Sequence, residues 1–259
     1  MRTTYSLHEL PDAQSCGDLC ILGWETNELL KILTKSTPLR VIMSFRRYIL
    51  ASRSPRRLEL LQLVIHPELI AVRPPESAAE AGFDDCQDME SIKFRMLEIA
   101  RHKAEQVQRQ LNQEESELYE RPRTLIIAAD TTVIVKNSIG QPIVLGQPPE
   151  TDEWREIVRN WFLDYYAGKT HCAATALHVI TPDGRTAERV VETQVTFRAN
   201  VELWLNWYLL TGEPRGKAGG YALQGAASVF IERVEGSLSN VVGLPLEAML
   251  ELFAEVSLR

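Results

Sequence analysis

The stretch YILASRSPRRLELLQLV, residues 48–64, constrains the chain most, because it specifies a strand, a tight turn and a helix start in succession. Tyr48, Ile49 and Leu50 form a short apolar run that ends at small polar residues, as a buried strand does. Ser54 sits where an N-cap belongs, and Pro55 takes the first helical position, where its missing N–H costs nothing. Leu58, Leu60, Leu61 and Val64 follow at helical spacing as a buried stripe. Arg56 and Arg57 fall in the first turn, where cations oppose the helix dipole. That conflict is resolved if backbone amides and guanidiniums together hold an anion. On the residues alone, a surface turn whose arginines face water is equally open.

Composition narrows the partners. The chain has 259 residues, 45% hydrophobic and 24% charged, with a net charge of −7. This is the make-up of a soluble globular protein of one large domain or two lobes. Duplex-binding proteins need a basic face, so nucleic acid is not the expected partner, although cations gathered in one cleft still bind phosphates. Cys16, Cys20, Cys86 and Cys172 are scattered and lack a second Cys/His pair at zinc spacing, which suits a reducing, cytoplasmic setting. No apolar run reaches about 18 residues, so no membrane span is expected, and no signal-peptide pattern is visible. Residues 1–42 differ from the rest and read as an appendage, with 27–35 able to form a short amphipathic helix. The organised part, 43–259, begins at Met43, itself a candidate start.

Beyond the first helix, strands alternate with helices, which predicts a mixed α/β fold. A strand is expected over 69–72, an acidic loop over 76–90 and a long helix over 89–110. Phe94, Leu97, Ala100, Ala104 and Val107 are read as that helix's apolar side. A buried strand over 125–129 is expected to end at Asp130, with the extended run resuming over 133–135. Turn residues over 140–149 suggest a hairpin and a loop. Helices are expected over 154–166, 201–210 and 246–253, with Gly168 and Gly212 as stops. Strands over 173–180 and 189–198 are joined by Thr181-Pro182-Asp183-Gly184, and a further strand is read over 228–234.

Several residues could carry chemistry. Asp130, at the C-terminal end of an apolar strand, stands where open α/β sheets place ligands, and could bind Mg²⁺ or orient a water. GKAGGYALQG, 216–225, combines glycines that permit close backbone approach with Lys217, Tyr221 and Gln224, but lacks P-loop spacing. Glu76, Asp84 and Asp85 are candidates for a second acidic ligand, although acidic loops are ordinarily solvated. Lys103, on a helix, is by default solvated too. His171 next to Cys172 has no serine elbow or Cys/His/Asn set around it, so triad chemistry is not expected.

Six segments in order, LASRSPRRLELL (50–61), ARHKAEQV (100–107), AADTTVIV (128–135), GKTHCAATAL (168–177), GEPRGKAGGYALQG (212–225) and SNVVGLPL (239–246), together resemble the Maf family of nucleoside triphosphate pyrophosphatases. The resemblance covers about residues 46–255. It implies a Maf/ITPase-like fold, a central twisted sheet flanked by helices, with two lobes around a deep cleft. It implies hydrolysis of the α–β phosphoanhydride, with Mg²⁺ or Mn²⁺, to a monophosphate and pyrophosphate. Asp130-Thr131 together with the glycine-rich segment is similar to the branch acting on dTTP and UTP. Matched residue by residue, Ser52, Arg56 and Arg57 fall on the family's phosphate turn and Lys103 on its helical lysine. Asp130 falls on its essential acid, as base or metal ligand, Gln224 on its glutamine near the reacting phosphate, and Glu76 on a second acid beside the metal. A homodimer is also usual for such a fold.

One departure stands out. Gly146-Gln147-Pro148 occupies the place where the family usually has Gly-Lys-Pro. Losing a charge-assisted contact to a developing anion costs about 10²–10³ in turnover. Two functions are therefore carried forward: a pyrimidine-nucleotide pyrophosphatase, and a nucleotide-binding regulator of cell division with weakened catalysis.

Overall fold

The computed structural model describes residues 45–76, 82–113 and 123–257. The appendage 1–42, its expected helix, Cys16 and Cys20 lie outside them. The chain opens with β1 (Arg47–Leu50), α1 (Pro55–Gln62) and β2 (Ile70–Val72), the strand–turn–helix that the residues call for. There follow α2 (Met89–Gln113), β3 (Thr124–Lys136), β4 (Pro142–Leu145), α3 (Trp154–Trp161), β5 (Thr170–Ile180) and β6 (Thr186–Phe197). The chain closes with α4 (Glu202–Thr211), β7 (Ile231–Glu235), α5 (Leu238–Val242) and α6 (Leu246–Ser257).

The seven strands form one mixed sheet in the order β2-β1-β3-β5-β6-β7, with β4 also on β3. β1 runs parallel to β2 and β3, and the other pairs are antiparallel. Because side chains alternate along a strand, β3 serves four hydrophobic clusters. Leu125, Ile127 and Ala129 pack with Leu61, Leu252 and Phe253 beneath α1 and α6. Val133 and Val135, further along on the same face, pack with Trp154, Val158, Leu205 and Tyr208 from α3 and α4. Ile126, Ala128 and Ile134 face the opposite way, toward α2. One helix thus covers one face of the sheet, and two separate helix groups cover the other. These groups are the two lobes.

Four expectations are corrected. β3 runs unbroken through Asp130, which is mid-strand. The strand does not stop there because β5 pairs it continuously from Ile126 to Ile134. Phe94 is 61% exposed, and the buried stripe of α2 is Ile92, Met96, Ile99, Ala100, Ala104, Val107 and Leu111. Its 3–4 residue steps track the helix more faithfully than a stripe begun at Phe94. Residues 154–161 are α-helical, but Phe162–Tyr166 forms a π turn. The strand read over 228–234 is a 3₁₀ segment, Ala226–Phe230, followed by β7. Gly212 does end α4, in the left-handed conformation, with φ 71°.

His171 and Cys172 are adjacent on β5 and therefore point to opposite faces. Cys172 packs under α2, while His171 lies among Tyr166, Phe197 and Tyr221. Its Nε2 lies 2.9 Å from Tyr221 Oη. Burial pushes its pKa from the ordinary 6.5 down to about 3. The unfolded chain takes up this proton near pH 6.5 and the folded chain only near pH 3. The stability concerned is thus complete above about 6.5 and is lost as pH falls toward 3. We expect roughly 2 kcal/mol to be lost from this group between pH 7 and pH 5. Urea unfolding at both pH values checks this: His171→Gln should flatten the profile, and a profile parallel to wild type would refute the assignment.

Candidate active site

The cleft opens where the sheet leaves an edge of β3 unpaired. β1 pairs with β3 only at Arg47–Leu50, opposite residues 124–127, and β4 only at residues 133–136. Both lie on the same edge, since β5 occupies the other. Among the described residues, therefore, no strand lies beside 128–132 on that edge. A cavity of about 1360 Å³ fills the notch between the lobes. Strand side chains alternate, so Asp130 and Thr131 reach this cavity from opposite faces of the sheet.

Asp130 faces α2, where Lys103 Nζ donates to its Oδ1 at 2.8 Å, in a pair whose side chains are only 15% and 8% exposed. So buried a pair needs both members: removing either strands the other's charge or its hydrogen bond in a poorly solvated place. Lys103 is thus not the solvated helix lysine of the default reading.

Thr131 faces Arg57, and Arg57 holds three elements together. Its Nη1 donates to Ser52 Oγ at 3.1 Å, its Nη2 to Thr131 Oγ1 at 3.0 Å and its Nε to the Gly243 carbonyl at 2.9 Å. Ser52 Oγ also accepts from Ser54 N at 3.1 Å, which shapes the turn before α1. Ser54 has the extended backbone of an N-cap but makes no side-chain cap, so it does not satisfy the first amides of the helix. Behind Thr131, Thr175 Oγ1 lies at 3.0 Å, and buried Asn240 donates Nδ2 to the Ala173 carbonyl and to Thr193 Oγ1. The segment 239–246, which reads as mere loop and helix start, is therefore what clamps Arg57.

Arg56 and Lys217 complete the cationic wall. Burial lowers the pKa of Arg56 despite nearby Glu59. Burial also lowers that of Lys217, and the positive charge of Arg56 lowers it further. Two half-buried cations that repel one another form a site for an anion. The loop bearing Lys217 is held by close packing. A Cβ on Gly219, whose φ is +66°, would lie 2.5 Å from Tyr166 Oη and 2.7 Å from Val133 Cγ2. A Cβ on Gly225 would lie 2.4 Å from Glu213, whose carboxylate accepts from Ala226 N at 2.6 Å and Ala227 N at 3.2 Å. Gly219 N donates to the Gly146 carbonyl at 2.9 Å, which ties the glycine-rich loop to the loop carrying Gln147.

Ser52, Arg56, Arg57, Lys103, Asp130, Gln147, Lys217 and Gln224 all line this one cavity. Glu76 does not line it: the residue is exposed, and Arg53 Nη2 donates to the carbonyls of Pro75 and Glu76 at 2.9 and 3.1 Å. At this bend the backbone faces the turn. Asp84 lines the outer cavity, and Asp85 pairs with Arg95 at 2.8 Å. Arg53, Arg95, Glu98, His102 and Gln106 also line it and were not singled out from the sequence. The last four recur at 95, 98, 102 and 106, a polar helical stripe beside the apolar one, and that spacing was the available signal.

Among the described residues, no group of three or more His, Cys, Asp or Glu gathers as a metal site. Mg²⁺ commonly takes one or two carboxylates and fills its other positions with phosphate and water oxygens. Asp130 fits such a metal arriving with a triphosphate.

Fold and site define a mixed α/β protein with a cationic cleft beside one buried carboxylate. The family model described as "Maf-like protein" matches residues 47–256, and the chain belongs to the Maf family. It is 36% identical over 211 residues to a dTTP/UTP pyrophosphatase of Brucella abortus (strain 2308), covering 81% of this chain and 91% of that protein. It is also 36% identical over 204 residues to a dTTP/UTP pyrophosphatase of Pyrococcus horikoshii, covering 79% and 94%.

Proposed function

We propose that this chain is a nucleoside triphosphate pyrophosphatase that favours dTTP, UTP or a modified pyrimidine nucleotide and releases the monophosphate and pyrophosphate. The observation that carries this reading is the pairing of two repelling, half-buried cations, Arg56 and Lys217, with the buried Lys103–Asp130 pair in one cavity. The Brucella and Pyrococcus relatives are both named as pyrophosphatases, so the regulator with weakened catalysis is not favoured.

In the proposed reaction, a water oxygen bonds to the α-phosphorus as the bond from that phosphorus to the α–β bridging oxygen breaks in line. Asp130 orients the water and takes its proton on the carboxylate oxygen not held by Lys103. The leaving pyrophosphate carries the electron pair away, and Arg56 and Lys217 neutralise its charge. Lys103, through its hydrogen bond to Oδ1, keeps Asp130 aimed. A divalent metal would be held by the substrate phosphates, and by Asp130 where that carboxylate serves as ligand rather than base, and would supply further charge neutralisation. Glu76 as a second metal acid requires the 73–76 bend to turn its side chain inward. Gln224, which lines the cavity, donates a hydrogen bond to the substrate in this reading. Within the described residues no helix is long and apolar enough to cross a membrane.

The test is pyrophosphate release from dTTP, UTP, CTP and 7-methyl-GTP with Mg²⁺ or Mn²⁺. Metal-dependent release confined to pyrimidine nucleotides supports the reading, and silence on all of them overturns it. Gln147 is exposed and lines the cavity without an ionic charge to offer. Gln147→Lys is expected to raise kcat about 10-fold or more with KM nearly unchanged. An unchanged kcat would show that the glutamine amide already suffices there.

A further inference from the structure

Arg53 lines the cavity with Arg56 and Arg57, but its partners set it apart. It stands between Ser52 and Ser54, in the turn that leads into the uncapped start of α1. Its Nη2 donates to two main-chain carbonyls of the bend after β2, that of Pro75 at 2.9 Å and that of Glu76 at 3.1 Å. Those two bonds occupy both hydrogens of one nitrogen, whereas a guanidinium carries five N–H donors. Among the described residues Nε and Nη1 have no acceptor, and no carboxylate pairs with the charge. Even Glu76 offers Arg53 its carbonyl and not its side chain. Arg73 N donates to the Leu50 carbonyl at 3.0 Å, so the bend is tied to the end of β1 as well as to the turn. Pro75, at its centre, is buried and lines the cavity too.

We propose that Arg53 is a further substrate-binding residue, and that it fastens the 73–76 bend to the bound triphosphate. The inference rests on the pyrophosphatase reading of the cavity and deepens it. Carbonyls do not neutralise a guanidinium, so Arg53 adds its whole charge to those of Arg56 and Lys217 in the same cavity. Three of its N–H groups lack acceptors, and a triphosphate brings charged oxygens, to which such bonds are roughly twice as strong as between neutral groups. Two carbonyls already hold the guanidinium at one corner, so less side-chain freedom is lost when the anion arrives. The rigid plane then sets a fixed separation between the phosphate on Nε or Nη1 and the carbonyls on Nη2. Nucleotide occupancy therefore steadies the segment that carries Glu76.

The test is binding by the full chain of a dTTP analogue whose α–β bridge is a methylene or imido group, so that no turnover is needed. In isothermal titration with Mg²⁺, Arg53→Gln should weaken the analogue at least about 10-fold, the loss expected for a charge-assisted contact. Arg53→Lys should weaken it less, because the charge stays. Hydrogen exchange reads the bend: the amides of residues 70–76 should exchange at least about 5-fold more slowly once the wild type is saturated with analogue. That slowing should vanish in both saturated variants, since an ammonium cannot span two carbonyls and a phosphate together. A merely structural role would instead change exchange equally with and without nucleotide. Arg53→Gln binding within about twofold of wild type overturns the proposal. So does a wild type without the slowing, or slowing that persists in the saturated variants. A wild type that binds the analogue and shows the slowing, yet releases no pyrophosphate from dTTP, would overturn the hydrolytic reading alone and leave Arg53 in its role.

Discussion

Asp130→Asn is expected to lower pyrophosphate release about 10³-fold, within the range that loss of a positioned acid–base group produces. The substitution keeps the shape and the hydrogen bond that Lys103 makes at Oδ1, but removes the carboxylate's charge and its capacity to take a proton. Nucleotide affinity should hold or rise, because Lys103, Arg56 and Lys217 then face the triphosphate with no carboxylate opposing them. The effect belongs in kcat, with KM unchanged or lower, and this is the signature of a contact used mainly in the transition state. Asp130 is only 6% exposed, so a thermal melt must accompany the kinetics. A folded variant with activity within tenfold of wild type would remove Asp130 from the proposed chemistry.

Arg57→Lys is expected to lower kcat about 10²-fold and to destabilise the fold by about 3–6 kcal/mol. An ammonium can meet one of the three acceptors that the guanidinium joins, but not Ser52 Oγ, Thr131 Oγ1 and the Gly243 carbonyl at once. Each abandoned charge-assisted bond is worth about 1.5–3 kcal/mol. Arg57 is in this sense a positioning residue: it fixes the phosphate turn against the open edge of β3. Its neighbour provides the control. Among the described residues Arg56 spans no such set of protein acceptors, so Arg56→Lys should keep the charge, leave stability within about 0.5 kcal/mol and change chiefly KM. Steady-state kinetics and urea unfolding of both variants decide the matter. Equal effects on stability would show that the two arginines share one role.

The division of labour between these arginines was not legible in the sequence. Arg56 and Arg57 are adjacent, identical and in the same helical turn, and both read as anion ligands. Their partners lie 74 and 186 residues away for Arg57, on β3 and at the end of α5, and no local pattern encodes such distances. Lys103 shows the same limit. On its own helix it reads as a solvated cation, and only the crossing of α2 over the sheet sets it against Asp130. The six segments that mark the Maf resemblance did point to most of the cavity wall. Glu76 lies outside those segments, and there the backbone bend rather than the residue type decides which group faces inward.

Period and punctuation in the amino-acid sequence determined the strand–turn–helix at 47–62, the length of α2, the long β5–β6 hairpin and the left-handed stop at Gly212. These depend on local sterics and on which side chains repeat at 2 or 3.6 residues. Pairing decided the rest. β5 carries β3 straight past Asp130, where the sequence alone suggested an end, while β1 and β4 stop short on the opposite edge and leave the notch. Hydrogen bonds between strands far apart in the chain set where an edge lies open. The position of the cleft, and the meeting of Arg57, Lys103, Asp130 and Lys217 within it, therefore belong to the tertiary structure.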